Sequence, residues 1–287
     1  MQNLGFHLMA NPPANDVPPP GGSIHASANG RSPIGSNDAS KPAQPRWLAD
    51  NPWITFVVPF AVFMLAGSLE PTPDKPFSLL GLTIDYSAYP LVYAFKIALT
   101  VTAMALVWPG YRQFAFRLSP LSLVVGVVGV VLWIGLVKLR LENALLDPLG
   151  LGWAIDFGER AAFNPLAHWA EEPGTAYAFL ALRFFGLALV VPVIEEFFLR
   201  GFVMRFVVET DWWKVPFGTL TPAAIAAGTL VPVLLHPGEI LAAAVWFSLV
   251  TWLMARTKNI WDCVAAHAVT NLLLGIYVVA TGEWHFW

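Results

Sequence analysis

The sequence predicts an all-α protein, a polytopic transmembrane helix bundle of about seven spans with a disordered N-terminal tail. Three observations predict it. The 287 residues are 56% hydrophobic and only 12% charged, whereas a soluble domain carries about 25% charged residues. So little charge cannot cover a water-exposed body of this size. Apolar runs close to the ~20 residues that span a bilayer recur along the chain. Finally, the basic residues sort by side when seven spans are drawn with the N-terminus inside. Of the 16 Lys and Arg residues, only Lys75, Lys138, Arg140 and Arg160 fall on the far side, and Lys96 and Arg183 lie within spans. The rest gather on the N-terminal side, as the positive-inside tendency requires.

The elements follow in order. Residues 1–46 are rich in Pro, Gly, Ser and Asn, as in Pro18-Pro19-Pro20-Gly21-Gly22-Ser23. They cannot bury enough apolar area to offset ordering entropy and are expected to form a disordered tail. Trp53–Leu69, Ala88–Trp108 and Leu121–Val137 are the first three runs; a polar, acidic stretch from Leu139 to about Thr175 follows. Ala176–Ile194 comes next and is expected to continue as helix past Arg205. Leu220–Leu235, Ile240–Ala255 and Ile260–Ala280 complete the seven. The fifth run is short and interrupted by Pro222 and Pro232. The division expected is a tail (1–46), N-terminal transmembrane helices with a polar loop (47–174), and a C-terminal helical core (175–287).

Several function classes are excluded. The formal net charge of −3 comes with no basic stripe, so no nucleic-acid partner is expected. The single cysteine, Cys263, rules out intrachain disulfides and Cys clusters. It reads as a small apolar residue on a membrane helix.

An ionisable group at the bilayer centre costs at least ~2.5–3.5 kcal/mol on insertion scales. Such groups persist where they are paired or where they act. Glu195, Glu196, Arg200, His236 and His267 are of this kind, and Asn271 joins them. In a helix Glu196 and Arg200 share a face in the favourable acid-before-base order, which reads as a structural ion pair. Glu195 is turned about 100° away. Facing a wet cavity, it would be a general base. His267 and Asn271, four apart, share one stripe and can aim two donors at a developing oxyanion; interhelical polar contact is the structural alternative. His236 precedes Pro237 at a helix break, where irregular backbone is tolerated only against protein or a water-lined cavity. Its bland alternative is a loop histidine at the membrane surface.

Taken together, Glu195-Glu196-x-x-x-Arg200, His236 and His267-x-x-x-Asn271 resemble the CAAX protease and bacteriocin-processing family, relatives of the type II CAAX prenyl endopeptidase. Arg200-Gly201 and Arg256-Thr257-Lys258-Asn259-Ile260-Trp261 resemble the family's flanking patterns. The likeness covers roughly Thr175–Val279. Pro232 departs from it, standing where the family commonly has Phe. More loosely, the chain is similar to a bacterial subgroup associated with exosortase sorting systems, which would place it in a bacterial inner membrane.

The resemblance implies an intramembrane endopeptidase acting on a membrane-associated, C-terminal or leader peptide, with the lipid bilayer as its surroundings. In that reading Glu195 and His236 activate water, His267 and Asn271 stabilise the oxyanion, and Glu196 and Arg200 support the site. No cofactor is assigned. Glu195, His236 and His267 offer a ligand set for zinc, but the local His-Glu-x-x-His signature is absent. A glutamate without metal is the preferred reading and zinc its alternative. No Gly-x-Ser-x-Gly elbow points to a serine hydrolase. A non-catalytic peptide-binding or immunity protein is a further alternative. A solute pathway lacks the internal symmetry expected of transporters. One difficulty is depth: His236 falls near the outer end of the fifth run and Glu195 in the inner half of the fourth, so convergence requires the fifth run to be broken or tilted.

Overall fold

The computed structural model describes residues 44–73, 76–79, 81–146, 148, 150 and 162–287. Nearly all of the expected tail and part of the polar stretch, residues 151–161 among it, lie outside the described residues. Among those described, seven apolar helices stand where the seven runs were read. They are α1 (Trp53–Gly67), α2 (Tyr89–Tyr111), α3 (Pro120–Leu139), α4 (Pro173–Phe206), α5 (Pro222–Leu235), α6 (Ile240–Thr257) and α7 (Ile260–Thr281). Five of them, α2, α3, α4, α6 and α7 (α2 and α6 together with the short turns before them), are long and apolar enough to cross a membrane. α1, with 15 residues, and α5, with 14, are shorter. The chain is an integral membrane protein. A hairpin of β1 (Phe77–Leu79) and β2 (Leu82–Ile84), which the all-α expectation omits, follows α1.

Local chemistry fixes the helix ends. Proline occupies the first turn of α2, α3, α4 and α5, where its missing N–H has no intrahelical role. The Thr221 hydroxyl and the Asn259 carboxamide oxygen accept the Ala224 and Trp261 N–H groups that α5 and α7 leave without partners. α7 ends at Gly282 in the left-handed conformation. The segment after α4 is tied back by Arg205, whose guanidinium donates to the carbonyls of Gly201, Trp213 and Val215.

The bundle is apolar outside and polar at its centre. Leu65, Leu91, Leu106 and Leu234 are exposed, as suits side chains that meet lipid rather than water. Trp246 and Phe247 of α6 anchor the largest buried cluster. With no hydrophobic drive between helices in lipid, close approach depends on small residues. α3 makes its most extensive contacts with α7 and further contacts with α6, so helix packing runs across residue 174. Gly126 and Gly129 permit this. A Cβ at Gly126 would meet the Val269 side chain, and one at Gly129 would meet the Trp246 ring. The Thr270 hydroxyl donates to the Gly126 carbonyl at 2.9 Å across the same seam.

Gly129→Val should therefore destabilise the protein by about 1–3 kcal/mol, the usual penalty of overpacking. Gly135→Val, where an added Cβ meets nothing within 4 Å, is the control. Thermal unfolding in detergent should separate the two variants, and equal melting temperatures would remove the close-packing account.

Candidate active site

The geometry of α4 sets the site. The helix contains two wide, five-residue-repeat turns, Gly186–Val190 and Phe197–Val203, on either side of Val191–Glu196. Such turns recur at functional sites. Here one has a readable cause. The Val191 N–H donates to the Gly186 carbonyl, five residues back. In that register the Leu187 carbonyl would be served by residue 192, which is Pro192 and has no N–H. The Asn271 carboxamide fills the gap, its Nδ2 donating to the Leu187 oxygen at 2.8 Å. A backbone defect on α4 thus holds Asn271 of α7 in place.

Glu196 and Arg200 form an ion pair with an Nη1–Oε2 distance of 2.5 Å, and both side chains are fully buried. Arg200 Nη2 donates to the Phe247 carbonyl of α6 at 3.2 Å. Glu196 Oε1 lies 2.9 Å from Nδ1 of His267. A carboxylate held by arginine only accepts, so Nδ1 carries the hydrogen and Nε2 is turned to the other side. On that side stands Glu195, with 3.9 Å between its Oε2 and Nε2 of His267, beyond direct hydrogen-bond range. The Glu195 side chain is 18% exposed, in contrast to its neighbour.

His236 reaches the same place by a second backbone irregularity. α5 ends at Leu235, and the His236 N–H turns to the Val233 carbonyl at 3.1 Å instead of continuing the helix to Pro232. The Pro232 carbonyl receives the ring instead, with Nδ1 of His236 donating at 2.9 Å. This fixes Nδ1 as the donor and leaves Nε2 as an acceptor in the neutral ring. The ring lies against Trp133 and Phe247. α5 is short and ends abruptly at Leu235, and His236 lines the same cavity as Glu195. Pro232, the departure from the family pattern, supplies the carbonyl that orients the histidine.

Glu195, His236, His267 and Asn271 line one cavity of about 440 Å³. Glu196 and Arg200 lie behind it. Among the described residues, no group of three or more His, Cys, Asp or Glu is placed to hold a metal ion. His267 gives Nδ1 to Glu196 and keeps Nε2, an orientation that a histidine ligand of a metal also takes. Cys263 is buried and free. The residue reading missed two cations that line the same cavity, Lys96, paired with Glu70 at 2.6 Å, and Arg183. Their signal was available, since each is an ionisable group inside a predicted span.

Removing one partner of a buried pair strands the other. Glu196→Gln and Arg200→Met should each destabilise the protein by about 3–5 kcal/mol, and the double variant should lose less than the sum. A thermodynamic cycle measured by unfolding in detergent checks this; strict additivity would mean that the pair carries no coupling.

Residues 177–273 match the family described as Rce1-like, type II CAAX prenyl endopeptidase. That interval contains all six of these residues. Neither a curated protein nor a solved structure matches the chain. The matched family is of the kind that the motifs resembled, and the likeness is confined to residues 177–273.

Proposed function

We propose that this protein is an intramembrane endopeptidase that hydrolyses a peptide bond of a membrane-associated or C-terminal or leader peptide with glutamate-activated water. The observation that carries the reading is the gathering of Glu195, His236, His267 and Asn271 around one cavity inside an apolar bundle. The description of the matched family supports the same class of reaction. The catalytic core is residues 175–287, and the setting proposed is a bacterial inner membrane.

In the mechanism, Glu195 takes a proton from a water molecule as the water oxygen bonds to the substrate carbonyl carbon. His236 accepts the second water hydrogen at Nε2 and fixes the direction of attack. The carbonyl oxygen becomes an oxyanion. Asn271 Nδ2 has a second N–H beyond the one given to Leu187, and this hydrogen donates to the oxyanion. His267, as the imidazolium with hydrogens on both ring nitrogens, is the second donor, giving Nδ1–H to Glu196 and Nε2–H to the oxyanion. The tetrahedral adduct collapses as the carbon–nitrogen bond breaks, and the proton held on Glu195 passes to the leaving amine. The products are a carboxylic acid and an amine. Glu196 and Arg200 act on none of these atoms; they hold His267 in orientation.

Protein purified in detergent should cleave members of a library of quenched fluorescent apolar peptides. Glu195→Gln should lower the rate by about 10²–10⁴-fold, the range of general-base contributions, with thermal unfolding unchanged. Equal rates for the two proteins would end the glutamate mechanism. Binding without cleavage by the wild type would select a peptide-binding protein. Activity surviving chelation in protein measured to be metal-free is expected, whereas a loss restored by zinc would return the metal alternative.

A further inference from the structure

Arg183 is a cation that the proposed mechanism does not use. It stands on α4 just over three turns before Glu195, is 5% exposed, and lines the cavity that holds the four site residues. Its Nε and Nη1 have no hydrogen-bond partner among the described residues. Aromatic faces surround it instead. The guanidinium carbon lies 4.9 Å from the Trp287 ring centre, 5.7 Å from that of Tyr89 and 5.9 Å from that of Tyr93. The Tyr93 hydroxyl donates to the Arg183 main-chain oxygen at 3.4 Å and so fixes the backbone, not the charge. Ring faces attract a cation but leave its in-plane N–H groups without acceptors. The carboxylate in the same part of the cavity, Glu70, is engaged by Lys96 at 2.6 Å.

A preformed, desolvated arginine fork matches a carboxylate in shape and charge. We infer that Arg183 receives a carboxylate of the substrate peptide, either its C-terminus or an acidic side chain, and thereby sets which bond reaches Glu195. The spacing limits the substrate. Just over three turns of helix rise roughly 18 Å, and about five extended residues cover that length. The carboxylate therefore lies within about five residues of the bond that is cut. Lys96, with Glu70 beside it, is neutralised and does not compete for it.

This inference rests on reading the cavity as the substrate site, but it is tested by binding, which needs no turnover. The full chain carrying Glu195→Gln, in detergent, is titrated with a dansylated apolar pentapeptide in three forms. One has a free C-terminal carboxylate, one a C-terminal amide, and one a C-terminal amide with a single internal glutamate. At least one carboxylate-bearing form should bind about tenfold or more tighter than the all-amide form, as a charge-assisted contact to a buried arginine implies. The form that gains identifies the source of the carboxylate. Adding Arg183→Gln should abolish the preference, and Arg183→Lys, which keeps the charge but loses the fork, should retain part of it. Equal binding of the three forms, no binding of any, or a preference that survives Arg183→Gln overturns the assignment. If the preference fails while the wild type still cleaves peptides, the assignment falls and the protease reading stands.

Discussion

The structure depends on a fully buried ion pair, Glu196 with Arg200. A lone charge at that depth costs several kcal/mol, so neither residue is tolerable without the other. The pair does more than neutralise itself. Arg200 reaches the Phe247 carbonyl of α6 and Glu196 reaches His267 of α7, so three helices meet at one charge centre. Because Glu196 is committed inward, Glu195 one residue earlier is turned about a quarter of the helix circumference away, towards the cavity. The adjacent glutamates thus have opposite surroundings for one geometrical reason. One is sealed in protein by an arginine, and the other faces space that water can fill.

A second constraint concerns the main chain. In lipid every carbonyl must find a donor within the protein, and proline removes donors. Pro192 leaves the Leu187 carbonyl to Asn271, and the early end of α5 leaves the Pro232 carbonyl to His236. Both polar side chains are oriented by a hydrogen bond that the helix could not make for itself. The prolines that weaken these helices as regular elements are also what make them precise as scaffolds. A leucine at 192 would restore an N–H to α4 and remove the reason for Asn271 to point where it does.

What could be read in the sequence, and what could not, divides along the same line. Composition and run length announced the membrane helices, because burial in lipid is a property of each segment alone. The Glu196–Arg200 pair and the shared stripe of His267 and Asn271 followed from helical spacing. The depth of His236 did not, since it depends on α5 stopping at Leu235, a tertiary outcome that local propensity does not set. The wide turns of α4 were invisible for the same reason. The hairpin of β1 and β2 is too short to compete with the apolar runs in any window. Lys96 and Arg183 were visible as charges within spans, but nothing periodic joined them to the glutamates. Only folding brings α2 and the start of α4 against the cavity.

The hydrolysis proposed for this protein requires a place where water and a peptide bond coexist while the surrounding surface stays apolar. The bundle reconciles these needs by layering. Its exterior carries exposed leucines and valines, and its helices approach one another through glycines such as Gly126 and Gly129. Among the described residues, Lys96, Arg183, Glu196, Arg200 and His267 are buried within it. A polar group in so dry a setting is expensive unless it is bonded or paired. Glu196, Arg200 and Lys96 have such partners. Arg183 is wrapped in Tyr89, Tyr93 and Trp287, and its Nε and Nη1 have no hydrogen-bond partner among the described residues. Ring faces hold the charge without consuming its hydrogens, which is the state that the proposed role of Arg183 in binding a carboxylate requires.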